Sequence, residues 1–130
     1  MARGERVNPP GVHAPQANYS HATRVGDTLY ISGQLSLDPA GKLVGAGDAE
    51  AQAEQCYRNI KAIVEHFGGT LDDVVKITQY ITDLDYRPLV ARPRDRYLGR
   101  PGPSSTLVVI KGLAIPDCLV EVEAVAVLEE

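Results

Sequence analysis

Two carboxylates stand where a strand ought to be apolar. In Leu119–Val127, Val120, Val122, Ala124 and Ala126 alternate onto one face, which reads as core, while Glu121 and Glu123 fall on the other among apolar neighbours. An acid in such surroundings needs water, a partner or a task. A carboxylate held in a cleft can orient a water molecule or move a proton. Other reactive chemistry is sparse. His13, His21 and His66 have no metal-ligand spacing, and Cys56 and Cys118 form no CxxC motif, so neither a metal nor another cofactor is expected. Ser32 has no base partner visible in the sequence, which speaks against a nucleophile. No His/Lys pair suited to phosphodiester cleavage stands out.

The elements that must position these residues follow from the spacing of apolar side chains. Met1 to Asn18, rich in Pro, Gly and charge, reads as an extended arm over residues 1–18. Tyr19 to Arg24 and Thr28 to Ser32 read as a hairpin around Val25-Gly26-Asp27, with Gly33 and Gln34 ending the second strand. Asp48 is placed to cap a helix from Ala49 to Phe67, whose Ala53, Cys56, Ile60, Ile63, Val64 and Phe67 recur at three- and four-residue steps; Gly68 stops it. Cys56, on that stripe, reads as a reduced core residue. Val74 to Thr82 reads as a strand, with Val75, Ile77 and Ile81 on one face and Lys76, Thr78, Tyr80 and Thr82 on the other. Pro88 to Leu98 reads as a second helix, kinked or starting late because of Pro93. After Pro101-Gly102-Pro103, Ser104–Ile110 reads as a mostly buried strand, and a turn around Gly112 and Pro116 leads into the strand of the two acids.

The order ββαβαββ, without repeats or a domain boundary across 1–130, predicts an α+β sandwich with two helices on one face of a mixed sheet. Helices can cover only that face. The other, half polar and half apolar, must meet solvent or another subunit, and a small homo-oligomer would satisfy it. The chain has 130 residues, 44% of them hydrophobic, and a net charge of −4. It shows no apolar run near the ~20 residues a membrane helix needs and no signal-peptide core, so it reads as cytoplasmic and away from membranes. The negative charge argues against a nucleic-acid partner. Arg87, Arg92, Arg94, Arg96 and Arg100 cluster around the second helix, where a solvated face is the simpler reading.

Asn8-Pro9-Pro10-Gly11, Tyr19-Ser20-His21-Ala22 and Gly26-Asp27 with Tyr30-Ile31-Ser32-Gly33-Gln34 come first along the chain. Asn59-Ile60-Lys61-Ala62-Ile63, Leu71-Asp72-Asp73-Val74-Val75-Lys76 and Leu119-Val120-Glu121-Val122-Glu123-Ala124 follow. In this order and at these separations the segments resemble the RidA (YjgF, L-PSP endoribonuclease-like) family over nearly the whole chain. The resemblance implies a chorismate-mutase-like fold, a homotrimer with clefts between subunits, and hydrolysis of enamines and imines to ammonia and a keto acid.

It also implies roles. Glu121 matches the glutamate that orients the attacking water, and Tyr19 a cleft tyrosine. Ser32 and Gly33 match a cleft turn where a ligand can approach the backbone. Deaminating members hold the substrate carboxylate with an arginine just after the proline that opens the corresponding strand. Here that segment is Pro103-Ser104-Ser105-Thr106, and Ser105 stands in the arginine's place. A serine donates one hydrogen bond and brings no charge. An asparagine of the second helix aligns near Val90 or Ala91 and is absent too. Thr106 could add a hydroxyl, and Glu123 reads as a surface acid. Arg100, or an arginine of a neighbouring subunit's second helix, could compensate for Ser105. Two readings stay open: a hydrolase whose substrate does not depend on an arginine-held carboxylate, and a small-molecule binding protein on the same trimer without turnover. An endoribonuclease or translation inhibitor is a third.

Overall fold

The computed structural model describes residues 3–129. Its order is β1 (Glu5–Val7), β2 (Ala22–Val25), β3 (Thr28–Leu35), α1 (Ala49–His66), β4 (Val74–Ile81), α2 (Arg87–Leu98), β5 (Ser104–Val109) and β6 (Val120–Val127). The six strands form one sheet in the order β1-β2-β3-β6-β4-β5. Only β4 and β5 run parallel, joined through α2; every other pairing is antiparallel. The mixed α+β sheet agrees with the sequence reading.

One helix seals the core. Asp48 caps α1 by accepting from the Ala51 amide at 3.0 Å, and Gly68, at φ +82°, takes the left-handed turn that ends it. Ala53, Cys56, Tyr57, Ile60, Ile63 and Val64 are fully buried. They meet Leu29 and Ile31 of β3 and Val120, Val122, Ala124 and Ala126 of β6. α2 lies beside α1, and two of its arginines pair with α1 acids: Arg92 reaches Glu50 at 2.9 Å, and Arg96 approaches both Glu50 and Glu54.

The inner face of α1 also carries buried amides that fix the loops around the sheet. Gln52 accepts from the Leu119 amide at 2.7 Å and donates to the carbonyls of Gly45 and Asp117, locking the start of β6. Asn59 donates to the carbonyls of Leu35 and Leu37, both at 3.1 Å, and is itself oriented by Gln55 at 2.9 Å. Truncating such an amide would leave buried backbone groups unpaired.

Several expectations change. The N-terminal arm contributes a strand: β1 pairs with β2, and Val12 and His13 are buried. Its first two residues lie outside those described. β2 starts at Ala22 rather than Tyr19. β3 does not stop at Gly33 but runs to Leu35, its register against β6 shifting between Ile31 and Gln34. Such a bulge absorbs the extra residue and lets the strand continue. A second bulge, between Val74 and Lys76, turns Val74 inward and leaves Val75 exposed, so Val75 does not share the face of Ile77 and Ile81. α2 begins early, at Arg87, and includes Pro93, which is buried. β5 is an edge strand with no residue fully buried, not the mostly buried strand expected. Its β-branched run reports strand propensity, which an edge satisfies as well as a centre does.

Candidate functional site

β3 and β6 pair antiparallel, which sets Glu121 opposite Leu35, just past the bulge. There Glu121 lies against Gly33. A Cβ on that glycine would stand 2.6 Å from the Glu121 Cδ and 3.0 Å from its Cγ. The φ of Gly33 is not positive, so what the position requires is the close approach of the carboxylate and not an unusual backbone.

The bulge is held from behind. The Ser32 amide donates to the His21 carbonyl at 2.9 Å, and its hydroxyl donates to the Ser20 carbonyl at 2.6 Å. Gln34 Nε2 donates to the Ser32 carbonyl and to His21 Nδ1, both at 3.1 Å, while His21 Nε2 donates to the His13 carbonyl at 2.6 Å. Because one ring nitrogen of His21 must accept and the other donate, the imidazole is neutral. Burial is the main cause that pushes its pKa below the usual value. Tyr19 packs edge-on to the same ring, at 5.8 Å between centroids. The hydroxyl of Ser32 is thus committed to the backbone, in keeping with its lack of a base.

In front of the bulge opens a cavity of about 440 Å³, lined by Tyr19, Ser32, Gly33 and Glu121 together with His13, Gln16, Ala17, Leu35, Leu37, Ala114 and Ile115. Glu121 is half-buried there. Burial first, then the neighbouring charge of Glu123, pushes its carboxyl above the usual glutamate value. Glu123 itself accepts a hydrogen bond from the Tyr80 hydroxyl on the outer sheet face. The cavity is mostly apolar, and in it Glu121 holds its proton to higher pH than a free carboxylate would.

Four of the six candidate residues therefore share one cavity, and two lie apart. Ser105 pairs with Ile77 on β4 and lines a second cavity of about 230 Å³. Thr106 points the other way, and its hydroxyl accepts from Lys76 Nζ at 3.4 Å. Sequence reasoning missed His13, Gln16 and Ile115 as lining residues. The arm and the loop before β6 bring them in, and neither has a periodicity that reveals where it folds.

Fold and cavity together place the chain in a known class. Residues 11–128 match the family described as Endoribonuclease L-PSP, and the chain belongs to this family, the RidA or YjgF proteins. Among curated relatives, it is 34% identical over 122 residues to the 3-aminoacrylate deaminase RutC of Acinetobacter baylyi, covering 94% of this chain and 96% of that one. It is 29% identical over 123 residues to the 2-iminobutanoate/2-iminopropanoate deaminase of Dermatophagoides farinae, covering 95% of each. Among solved structures, RidA from an Antarctic Psychrobacter superposes with a TM-score of 0.88 at 36% identity, over 95% of this chain and 99% of that one. Among the described residues no helix is long and apolar enough to cross a membrane.

Proposed function

We propose that this protein hydrolyses a small enamine or imine in the cavity between β3 and β6. The observation that carries the reading is Glu121, a half-buried carboxylate of raised pKa lying across Gly33 in a largely apolar cavity. The reaction is R₂C=NH + H₂O → R₂C=O + NH₃. Glu121 takes a proton from water as the water oxygen bonds to the imine carbon and passes it to the nitrogen, giving the carbinolamine R₂C(OH)NH₂. In the collapse Glu121 takes the hydroxyl proton as the C=O bond forms and returns it to the nitrogen, so that the C–N bond breaks and ammonia leaves. Tyr19 and the Ser32-Gly33 backbone border the substrate. An enamine enters the same route after protonation at carbon. The names of the two deaminase relatives support this chemistry.

The subunit arrangement belongs to the same proposal. The outer sheet face exposes Tyr30, Val75 and Val127, and the edge strand β5 exposes Val109, more apolar surface than a lone subunit needs. A homotrimer would cover it and would border the cavity with a neighbour's residues.

Ser105 favours a second reading, binding without turnover, because a neutral hydroxyl replaces a charged clamp. The test compares keto-acid release from 2-iminobutanoate and from 3-aminoacrylate, each generated in situ, with the spontaneous rate. We expect acceleration of at least one, lost in Glu121→Gln. Rates equal to the spontaneous ones for both compounds would reject the enzyme and leave the binding protein.

A further inference from the structure

The strand that carries Glu121 presents a second carboxylate on the same face. Side chains alternate along a strand, so Glu121 and Glu123 both point away from the helices, two residues and about 7 Å of backbone apart. β4 sets Tyr80 opposite Glu121 and Thr78 opposite Glu123. From beside Glu121 the Tyr80 side chain reaches along the sheet, and its hydroxyl donates to Glu123. That bond is the main cause that pushes the Tyr80 pKa above the usual value, so Tyr80 stays a donor. Among the described residues no lysine or arginine forms an ion pair with Glu121 or Glu123. Lys76, the cation of β4 on this face, turns its ammonium to the Thr106 hydroxyl at 3.4 Å. The arm brings His13 and Tyr19 to the cavity of Glu121. Cys56 of α1 and Cys118 of the preceding loop are buried thiols, and burial holds their protons. Glu123 is the one carboxylate among these neighbours.

We propose that Glu123, fixed by Tyr80, is a positioning residue that makes Glu121 a stronger base toward the attacking water. Glu123 does not line the cavity and touches no reacting atom; it acts through Glu121. A carboxylate beside another disfavours the ionised form of its neighbour. Glu121 is half-buried, where such a charge is felt more strongly than in water. A base with a higher proton affinity draws more of the proton from water as the C–O bond forms. Tyr80 supplies the geometry. Its hydroxyl keeps the Glu123 side chain on the sheet instead of turned into solvent, where salt and water would screen it. The role rests on the reading of Glu121 as the base and deepens it.

The experiment is a carboxyl-carbon NMR pH titration of the full chain without substrate, the Glu121 resonance being assigned by its loss in Glu121→Gln. Glu123→Gln removes the charge and keeps an acceptor for Tyr80, so the Glu121 midpoint should fall below that of the wild type. Tyr80→Phe releases Glu123 and should lower the midpoint by a smaller amount. Glu65→Gln, which removes an exposed charge from α1, should leave it in place. In keto-acid release, the acid limb of kcat/KM should move down with the midpoint in Glu123→Gln. The plateau should fall roughly twofold or more, as Brønsted behaviour requires of a weaker base, with KM little changed. A merely structural role would lower the urea midpoint of unfolding and leave the titration of Glu121 where it was. An unmoved or raised Glu121 midpoint in Glu123→Gln would overturn the proposal, and so would a lowered midpoint with an unchanged acid limb and plateau. Wild-type rates equal to the spontaneous ones would reject the enzyme and this role with it, whereas the titration needs no turnover and judges the coupling by itself, so the two failures are told apart.

Discussion

Replacing Gly33 by alanine should separate stability from chemistry. The added methyl would meet the Glu121 Cδ at 2.6 Å, where ordinary contact begins at 3.4 Å, so one of them must retreat by nearly 1 Å. The methyl is fixed to the strand, so the flexible glutamate moves. Two small effects then oppose each other in stability. Alanine restricts the unfolded chain, worth ~0.4–1 kcal/mol at a position whose backbone accepts it. Pushing Glu121 off its rotamer costs about 0.5–1.5 kcal/mol. The net change should stay within about 1 kcal/mol, read by urea denaturation. Activity has no such cancellation: a reacting group displaced by ~1 Å can cost about 100-fold. We expect that loss in keto-acid release, measured on whichever of the two test compounds the wild type turns over faster. In a Glu121→Ala background the obstruction is gone, and Gly33→Ala should then have almost no further effect on ligand affinity, a strong non-additivity. Full activity in Gly33→Ala with an unmoved carboxylate would refute the geometric argument.

Ser105→Arg should raise hydrolysis of 2-iminobutanoate from a low wild-type rate by about tenfold or more, the worth of a charge-assisted clamp; robust wild-type activity on this substrate would show that Ser105 does not redirect the cleft. Light scattering at low micromolar concentration should give about three chains per particle, and a stable monomer would reject the shared cleft. His21 makes stability fall in acid: its folded pKa lies below its unfolded 6.5, so the unfolded chain binds the extra proton first and stability declines as pH drops below 6.5, by at most about 1.4 kcal/mol per pH unit. Glu121 acts with the opposite sign, since a raised carboxyl pKa favours the folded state as pH falls through its range. The measurement is therefore cleanest in Glu121→Gln, where flat stability between pH 6.5 and 5 would contradict the His21 assignment.

What the sequence revealed divides along physical lines. Where burial alone sets the pattern, the reading held: the stripe of α1, its Asp48 cap and Gly68 stop, and the alternation in β6 all follow from one-dimensional periods. The bulges at Ile31/Gln34 and Val74/Lys76 did not show. A bulge breaks the period-two rule, and its stabilising contacts come from far along the chain; the one in β3 is held by His21 and Gln34. Gly33 looked like a strand terminator because glycine usually is one, whereas here it makes room for a side chain from another strand.

The site shows the same division more sharply. Glu121 was conspicuous because an acid on an apolar strand violates the local pattern, and such violations gather at functional sites. His13 and His21 violated nothing visible, for the buried bond from the His21 ring to the His13 carbonyl exists only once the arm has folded over β2 and β3. Ser105 was singled out for what it is not. The parallel pairing of β4 and β5 turns it toward Ile77 and the end of α2, where the arginines the sequence spread along one helix divide into two groups. Arg92 and Arg96 bind the fold together through Glu50, while Arg94 and Arg100 share a single carboxylate. Charge that a linear reading assigned to one solvated face thus divides between two sets of partners, and only the distances to Glu50 and Asp95 tell them apart.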